Sequence, residues 1–213
     1  MGSLFMKTFK SIITSWVLPI LIGLALALII RQFWFTIVRV DGTSMEPNLV
    51  NNERVLVLRP SEIKRGSVVV FNAQGVDPAV QNKLDYVKRV VGLPGDTVSA
   101  KDGNLYVNDK KVDQSYLPKS EREATNSVNN VGNWDNLSEL GQHMNWVKDS
   151  QTITVPKGKY FVLGDHRSVS NDSRYWGFVP KDKMFGVVKV GFWTKTDPKD
   201  AINQQYLHFF DTK

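Results

Sequence analysis

The sequence predicts an all-β domain, a folded-over barrel or sandwich, carried behind one membrane-spanning helix. Three observations predict it. Ser11–Ile30 (SIITSWVLPILIGLALALII) is a run of 20 residues without a charge. Beyond residue 36, short alternating or apolar stretches recur between Gly, Pro, Asn and Asp punctuation. No helical period of any length appears outside the apolar run.

As a helix the apolar run is about 30 Å long, the thickness of a bilayer's hydrocarbon core. Lys7 and Lys10 precede it and Arg31 closes it. Trp16 near one end and Phe33, Trp34 and Phe35 past the other suit the two interfacial aromatic belts. Pro19 is tolerated there with a kink. Ala25-Leu26-Ala27 has the form of a signal-cleavage site, but the residues after it are still apolar, so a cut would fall inside the run. A buried core helix would be shorter and amphipathic. An uncleaved anchor over 11–30 is therefore expected, with residues 1–10 as a short tail before it. Two bases flank each side closely, so the positive-inside count leaves its orientation tied.

The strands follow in order. Arg54–Arg59 (RVLVLR) alternates, and Ser67–Asn72 (SVVVFN) alternates in part. Asp85–Gly92 (DYVKRVVG) is a strand ended by Gly-Leu-Pro-Gly. Asp96–Lys101 and Asn104–Asn108 flank Asp102-Gly103, a two-residue hairpin signal. Gln151–Val155, Tyr160–Gly164 and Phe185–Trp193 complete a domain over 36–194. Residues 115–150 have no clear period and read as an inserted loop region or small cap. The tail, 195–213, is polar, with Tyr206, Phe209 and Phe210 available to pack back on the domain.

The chain has 213 residues, 27 Lys+Arg against 21 Asp+Glu, and no cysteine. Of the +6 net charge, +4 sits in residues 1–39, as Lys7, Lys10, Arg31 and Arg39. The excess flanks the apolar run instead of covering a domain face, so nucleic acid is not an expected partner. Without cysteine there are no disulfides, zinc thiolates, iron–sulfur clusters or cysteine nucleophile. That absence leaves the compartment open.

Three clusters are candidates for chemistry. In Asp41-Gly42-Thr43-Ser44-Met45-Glu46-Pro47, Gly and Pro bracket a serine on a tight connection, although such a serine is most often a turn residue. In Tyr86-Val87-Lys88-Arg89-Val90, alternation puts Tyr86, Lys88 and Val90 on one face and Val87 and Arg89 on the other. The common outcome for such adjacent bases is an edge strand with both heads in water. The alternative is that one base lies in the apolar interior. Gly164-Asp165-His166-Arg167-Ser168-Val169-Ser170-Asn171-Asp172-Ser173-Arg174 is a dense polar loop that also fits a solvated surface or an ion-pair staple. A serine nucleophile needs a base. His143 lies in the insert and His208 in the tail, while His166 has no partner acid placed by spacing. Lysine is the other base known to serve, provided that burial lowers its pKa by two to three units, roughly 3–4 kcal/mol.

An anchor followed in order by SMEP, YVKRVVGLPGD and GDHRSVSNDSR resembles bacterial type I signal peptidase, in its Gram-positive single-anchor form. The resemblance covers essentially the whole chain. It implies that Ser44 is the nucleophile and Lys88 the general base of a Ser/Lys dyad. It implies that Ser170 orients the lysine and that Asp172 and Arg174 form an ion pair supporting the site, with Asp165 and Arg167 also in support. Met45, Tyr86 and Val87 match residues near small pockets for the −1 and −3 side chains. The chain departs from the family at His166, usually Asn, and at Asn48, often Thr. Gly42 stands where some members carry a hydroxyl oxyanion donor, so the backbone N–H of Ser44, with a neighbouring N–H, is expected to hold the oxyanion. The role of Thr43 stays open.

The resemblance further implies secreted preproteins as substrates, bound as an added β-strand, and no metal or cofactor. It breaks the orientation tie: N-terminus cytoplasmic, β-domain extracytoplasmic, in a single-pass monomer on the lipid bilayer. Two rival readings remain at this point. One is a self-cleaving repressor-type Ser/Lys protease, which would need a DNA-binding helical domain. The other is an anchored, non-enzymatic β-domain that binds peptide or cell wall.

Overall fold

The computed structural model describes residues 13–127, 132–194 and 199–210. The backbone divides into two compact units, 1–36 and 37–213. The first holds helix α1 (Leu18–Phe33), preceded by a π-helical turn (Ile13–Val17). None of the α1 side chains is buried, and Thr14–Phe33 is long and apolar enough to cross a membrane. The basic flank at Lys7 and Lys10 lies outside the described residues.

The second unit is mostly β, with the first two residues of β1 counted in the first unit. Its strands are β1 (Phe35–Arg39), β2 (Arg54–Leu58), β3 (Val68–Asn72), β4 (Asp85–Gly92), β5 (Val98–Lys101), β6 (Asn104–Val107), β7 (Lys110–Lys111), β8 (Lys159–Leu163), β9 (Val179–Pro180) and β10 (Met184–Lys189). A seven-stranded sheet runs β1-β2-β10-β3-β4-β8-β9, and β5-β6-β7 form a second sheet. The Asp102-Gly103 turn has φ of +50° and +75°, the left-handed pair that a two-residue hairpin needs. Among the described residues of this unit the short α-helices are α2 (Lys119–Glu123), α3 (Leu137–His143), α4 (Ser173–Trp176) and, after the last strand, α5 (Asp200–Asn203). Each has at most seven residues, too few to set up a visible helical period.

Burial explains the strand sequences. β2 alternates, with Val55 and Val57 at 0% exposure, because one face meets the core and the other does not. β3 and β4 lie in the middle of the sheet, so Val68–Phe71 and Val90–Gly92 are buried without alternation. Gly92 stands where β4 shifts register against β8. A Cβ there would lie 2.8 Å from Val155 and 3.0 Å from Val98, so no larger residue fits without displacing them.

Two expectations change. Gln151–Val155 is not a strand: Thr152 Oγ1 bonds the Thr154 carbonyl and Pro156 follows, so only Val155 pairs, through bonds with Gly95 and Asp96. The segment 115–150 carries α2 and α3 and contributes to the main core. Trp134 and Trp146 are buried in one cluster with Phe161, Phe178, Leu105, Leu137 and Leu140. Phe209 from the tail joins them, and Phe210 packs against the cluster and pairs with Val112.

Candidate active site

Ser44 sits in the turn after Val40, partly exposed, while its neighbours Met45 and Leu49 are buried in a core cluster with Val55, Val57 and Val68. That burial holds the serine's backbone from below. Thr43 O accepts from Glu46 N–H at 3.0 Å, and Ser44 O accepts from His166 N–H at 3.1 Å. Among the described residues, neither Ser44 N–H nor Met45 N–H donates to a protein acceptor.

Lys88 lies on β4 opposite Val69 of β3, and Tyr86 opposite Phe71, so these four share one face. The ammonium of Lys88 is 2.6 Å from Ser44 Oγ, and the lysine is only 4% exposed. Burial is the main force on its pKa and lowers it to about 8. Asp172, Asp165 and Asp77 pull it back up, while Arg174 lowers it further.

Arg89, next along β4, is also buried, at 0% exposure. The edge-strand outcome with both bases in water is therefore overturned. β4 lies between β3 and β8, so the two heads point into opposite buried faces. Arg89 Nε and Nη2 form a two-pronged pair with Asp165 at 2.8 and 2.6 Å. Its Nη1 donates to the carbonyls of Gly66 and Ala201, and the ring of Tyr116 lies 4.2 Å from the guanidinium carbon. Burial opposes the charge on Arg89, but Asp165 outweighs it and holds the pKa above the usual arginine value. Asp165 Oδ2 also accepts from Asn48 Nδ2 at 3.0 Å. The chain Asn48–Asp165–Arg89 thus ties the serine turn to the strand that carries the lysine.

The polar loop 164–174 is knitted internally. Arg174 meets both carboxylate oxygens of Asp172 at 2.9 Å, and Asp172 Oδ2 accepts from Gly164 N–H at 3.0 Å. Burial disfavours both charges, yet their mutual attraction lowers the Asp172 pKa and raises that of Arg174. Arg167 is buried too, with its pKa lowered by burial, and bonds Gln114 and Tyr116 before α2 and Thr125 just after it. Ser170, expected to orient the lysine, has a buried hydroxyl with no hydrogen bond. It rests against Gly164, where a Cβ would lie 2.1 Å from Ser170 Oγ and 2.5 Å from Ser44 O.

A cleft of about 330 Å³ opens over Ser44 and Lys88, lined by Val38, Val40, Met45, Val70, Tyr86, Val87 and Asn171. All three residues expected near the substrate side chains line it. Two larger clefts lie elsewhere, about 620 Å³ around Gln114 and Lys119 and about 700 Å³ beside Trp193. Among the described residues, no group of three or more His, Asp or Glu is placed to hold a metal ion. Sequence reasoning missed Asn48, Arg89, Asp77 and Asn171. Asp77 accepts from Tyr86 O–H at 2.9 Å and from Asn171 Nδ2 at 2.7 Å, behind the cleft wall.

The family model of signal peptidase, peptidase S26, matches residues 13–193. The chain belongs to this signal peptidase family. It is 38% identical to signal peptidase I P of Bacillus subtilis subsp. natto over 88% of this chain and 92% of that one. It is 35% identical to signal peptidase IB of Staphylococcus aureus strain COL, over 92% and 97%. A crystal structure of signal peptidase I from Enterococcus faecalis V583 is 33% identical, with a TM-score of 0.46, covering 60% of this chain and 97% of that one. This member of the family is a serine peptidase, a hydrolase. Membership favours that reading over the rival of a non-enzymatic β-domain.

Two outcomes are expected from this geometry. Asp165→Ala leaves Arg89 charged, buried and unpaired, which costs about 3–5 kcal/mol in denaturant unfolding; a loss below ~1 kcal/mol contradicts the role given to the pair. Gly164→Ala forces Ser170 or Ser44 aside, and a shift of about 1 Å at a reacting centre costs about 100-fold in cleavage rate. Undiminished cleavage of a test peptide by Gly164→Ala would show that the slot tolerates a methyl group.

Proposed function

We propose that this chain is a membrane-anchored endopeptidase that removes N-terminal signal peptides from secreted preproteins through a Ser44/Lys88 dyad. The observation that carries the reading is the 2.6 Å contact between Lys88 Nζ and Ser44 Oγ in a site that depresses the lysine's pKa to about 8. As an ammonium, Lys88 donates to Ser44 Oγ. Once deprotonated, it accepts the hydroxyl proton, and Oγ attacks the scissile carbonyl. The backbone N–H groups of Ser44 and Met45, which have no acceptor among the described residues, hold the oxyanion. The proton passes from Lys88 to the leaving amine, and neutral Lys88 then activates the water that frees the acyl group. Ser170 Oγ, buried and without a bond among the described residues, is the acceptor we assign to protonated Lys88 when its head turns from Ser44. Asp172, Arg174, Asp165 and Arg167 hold the loops in place.

The substrate lies as an extended strand along β1, an edge strand whose Val38 and Arg39, with Val40 just past the strand, line the cleft. Small side chains at −1 and −3 fit among Met45, Tyr86 and Val87. α1 anchors the chain in the bilayer with its N-terminus cytoplasmic and the β-domain outside. This confines enzyme and substrate to one plane and raises their effective concentration.

Processing of a preprotein in detergent tests the dyad. Ser44→Ala and Lys88→Met abolish cleavage, and Lys88→Arg does too, because a guanidinium keeps its proton. Near wild-type processing by any of the three removes that residue from the mechanism. Lys88→Met is also more stable at pH 7 by on the order of 3 kcal/mol, because it no longer buries a charge that the unfolded chain leaves in water. That gain vanishes above about pH 10.5, where the lysine is neutral in both states. In the wild type, activity rises with pH through about 8 as Lys88 loses its proton and levels off above it; a rate independent of pH from 6 to 9 contradicts lysine as the base.

A further inference from the structure

Besides bonding Ser44, residue 166 makes a second contact that the dyad alone does not explain. The ring Nδ1 of His166 lies 3.1 Å from the carbonyl oxygen of Thr43. A carbonyl only accepts, so Nδ1 carries the hydrogen. Both the Nδ1–H tautomer and the imidazolium meet that requirement. His166 therefore holds two successive carbonyls of the serine turn, Thr43 with its ring and Ser44 with its backbone N–H.

We infer that His166 is a positioning residue whose Nδ1–H bond to Thr43 O orients the Thr43–Ser44 peptide and so aims the Ser44 N–H at the developing oxyanion. The link is the peptide plane. In a trans peptide the carbonyl of one residue and the N–H of the next point in opposite directions. Fixing Thr43 O thus fixes the direction of Ser44 N–H, a donor with no other acceptor among the described residues. Glu46 N–H, at 3.0 Å, also bonds Thr43 O, so the ring and the turn hold the oxygen together.

Gly42 makes this orientation count for more. It brings no side-chain donor, and its φ of +94° is a conformation that residues with a Cβ rarely adopt. The hole is then built from backbone alone, and its strength depends on where the peptide planes point. Removing one oxyanion donor from a serine protease costs about 100- to 1,000-fold in kcat. A mis-aimed donor costs part of that.

The inference rests on the Ser44/Lys88 reading, and its test separates the two. Asn and Leu have the same branched shape, but only Asn offers a nitrogen donor, Nδ2, as many bonds from Cβ as Nδ1 of histidine. The full chain in detergent is compared as wild type, His166→Asn and His166→Leu, with His166→Ala standing in for a leucine variant that does not fold. One probe is a peptide aldehyde with Ala at −1 and −3, which adds to a serine as a tetrahedral oxyanion. The other is the same peptide as an amide, which binds without reacting. In the leucine variant kcat falls about 10- to 100-fold with KM within about twofold, and aldehyde affinity falls by the same factor. Affinity for the peptide amide is unchanged, and His166→Asn restores both losses to within about threefold. The inference is overturned if kcat and aldehyde affinity stay at wild-type values, if amide affinity falls in parallel, or if Asn behaves like Leu. If the wild type forms no aldehyde adduct at Ser44 by mass spectrometry, the dyad reading fails and takes this inference with it. An adduct whose affinity ignores residue 166 sinks this inference alone.

Discussion

The buried pair between Arg89 and Asp165 is the constraint on which the rest of the domain depends. Both side chains are at 0% exposure, and Asp165 meets the guanidinium with both oxygens. Each partner is next in sequence to a residue of the site: Arg89 to Lys88, and Asp165 to His166. Through Asn48, Asp165 also grips the segment that follows Ser44. One pair thus joins the interior strand β4, the serine turn and the polar loop. Burying such a pair is weakly stabilising at best, whereas breaking it is costly. Its contribution here is positional, since it admits only one arrangement of three segments far apart in the chain.

A second constraint follows from the chemistry. A lysine that serves as a base has to be kept out of water, yet a buried cation needs partners. For Lys88, the base proposed above, the domain meets both demands by placing it on an apolar face with Val69, Phe71 and Val90, and by assigning two nearby carboxylates to arginines. Asp165 is bonded to Arg89, and Asp172 to Arg174. Each carboxylate favours the ammonium, but neither bonds it, so desolvation remains the dominant effect on its pKa. Arg167 extends the same scheme outward by bonding Gln114, Thr125 and Tyr116, which anchors the segments on both sides of α2 on the polar loop.

Much of this was legible in the residues. β4 runs over the expected Asp85–Gly92, and the Asp102-Gly103 turn forms where its dipeptide places it. The described part of the apolar run is helical, a π-helical turn followed by α1, which continues past Ile30 to Phe33. The helices of the 115–150 segment were not legible, because each is shorter than the window over which a period shows. Nor was the burial of Trp134 and Trp146, which depends on Phe161 and Phe178 arriving from later in the chain. The one available hint about Arg89 was the pairing of two adjacent bases in a strand rich in valine. Strand alternation said that they point apart; only the neighbours β3 and β8 decided that both directions lead inward.

By itself the sequence determined the elements whose cause is local: a helix from an unbroken apolar run, strands from alternation, a hairpin from two residues that tolerate positive φ. It also carried motifs specific enough to indicate the family. Tertiary structure alone decided what those residues experience. The contact of Ser44 with Lys88 spans 44 positions, Arg89 with Asp165 spans 76, and Asn48 with Asp165 spans 117. No local pattern encodes contacts across such separations. The desolvation that makes a lysine useful as a base is a property of its surroundings, and those surroundings exist only once the sheet has formed.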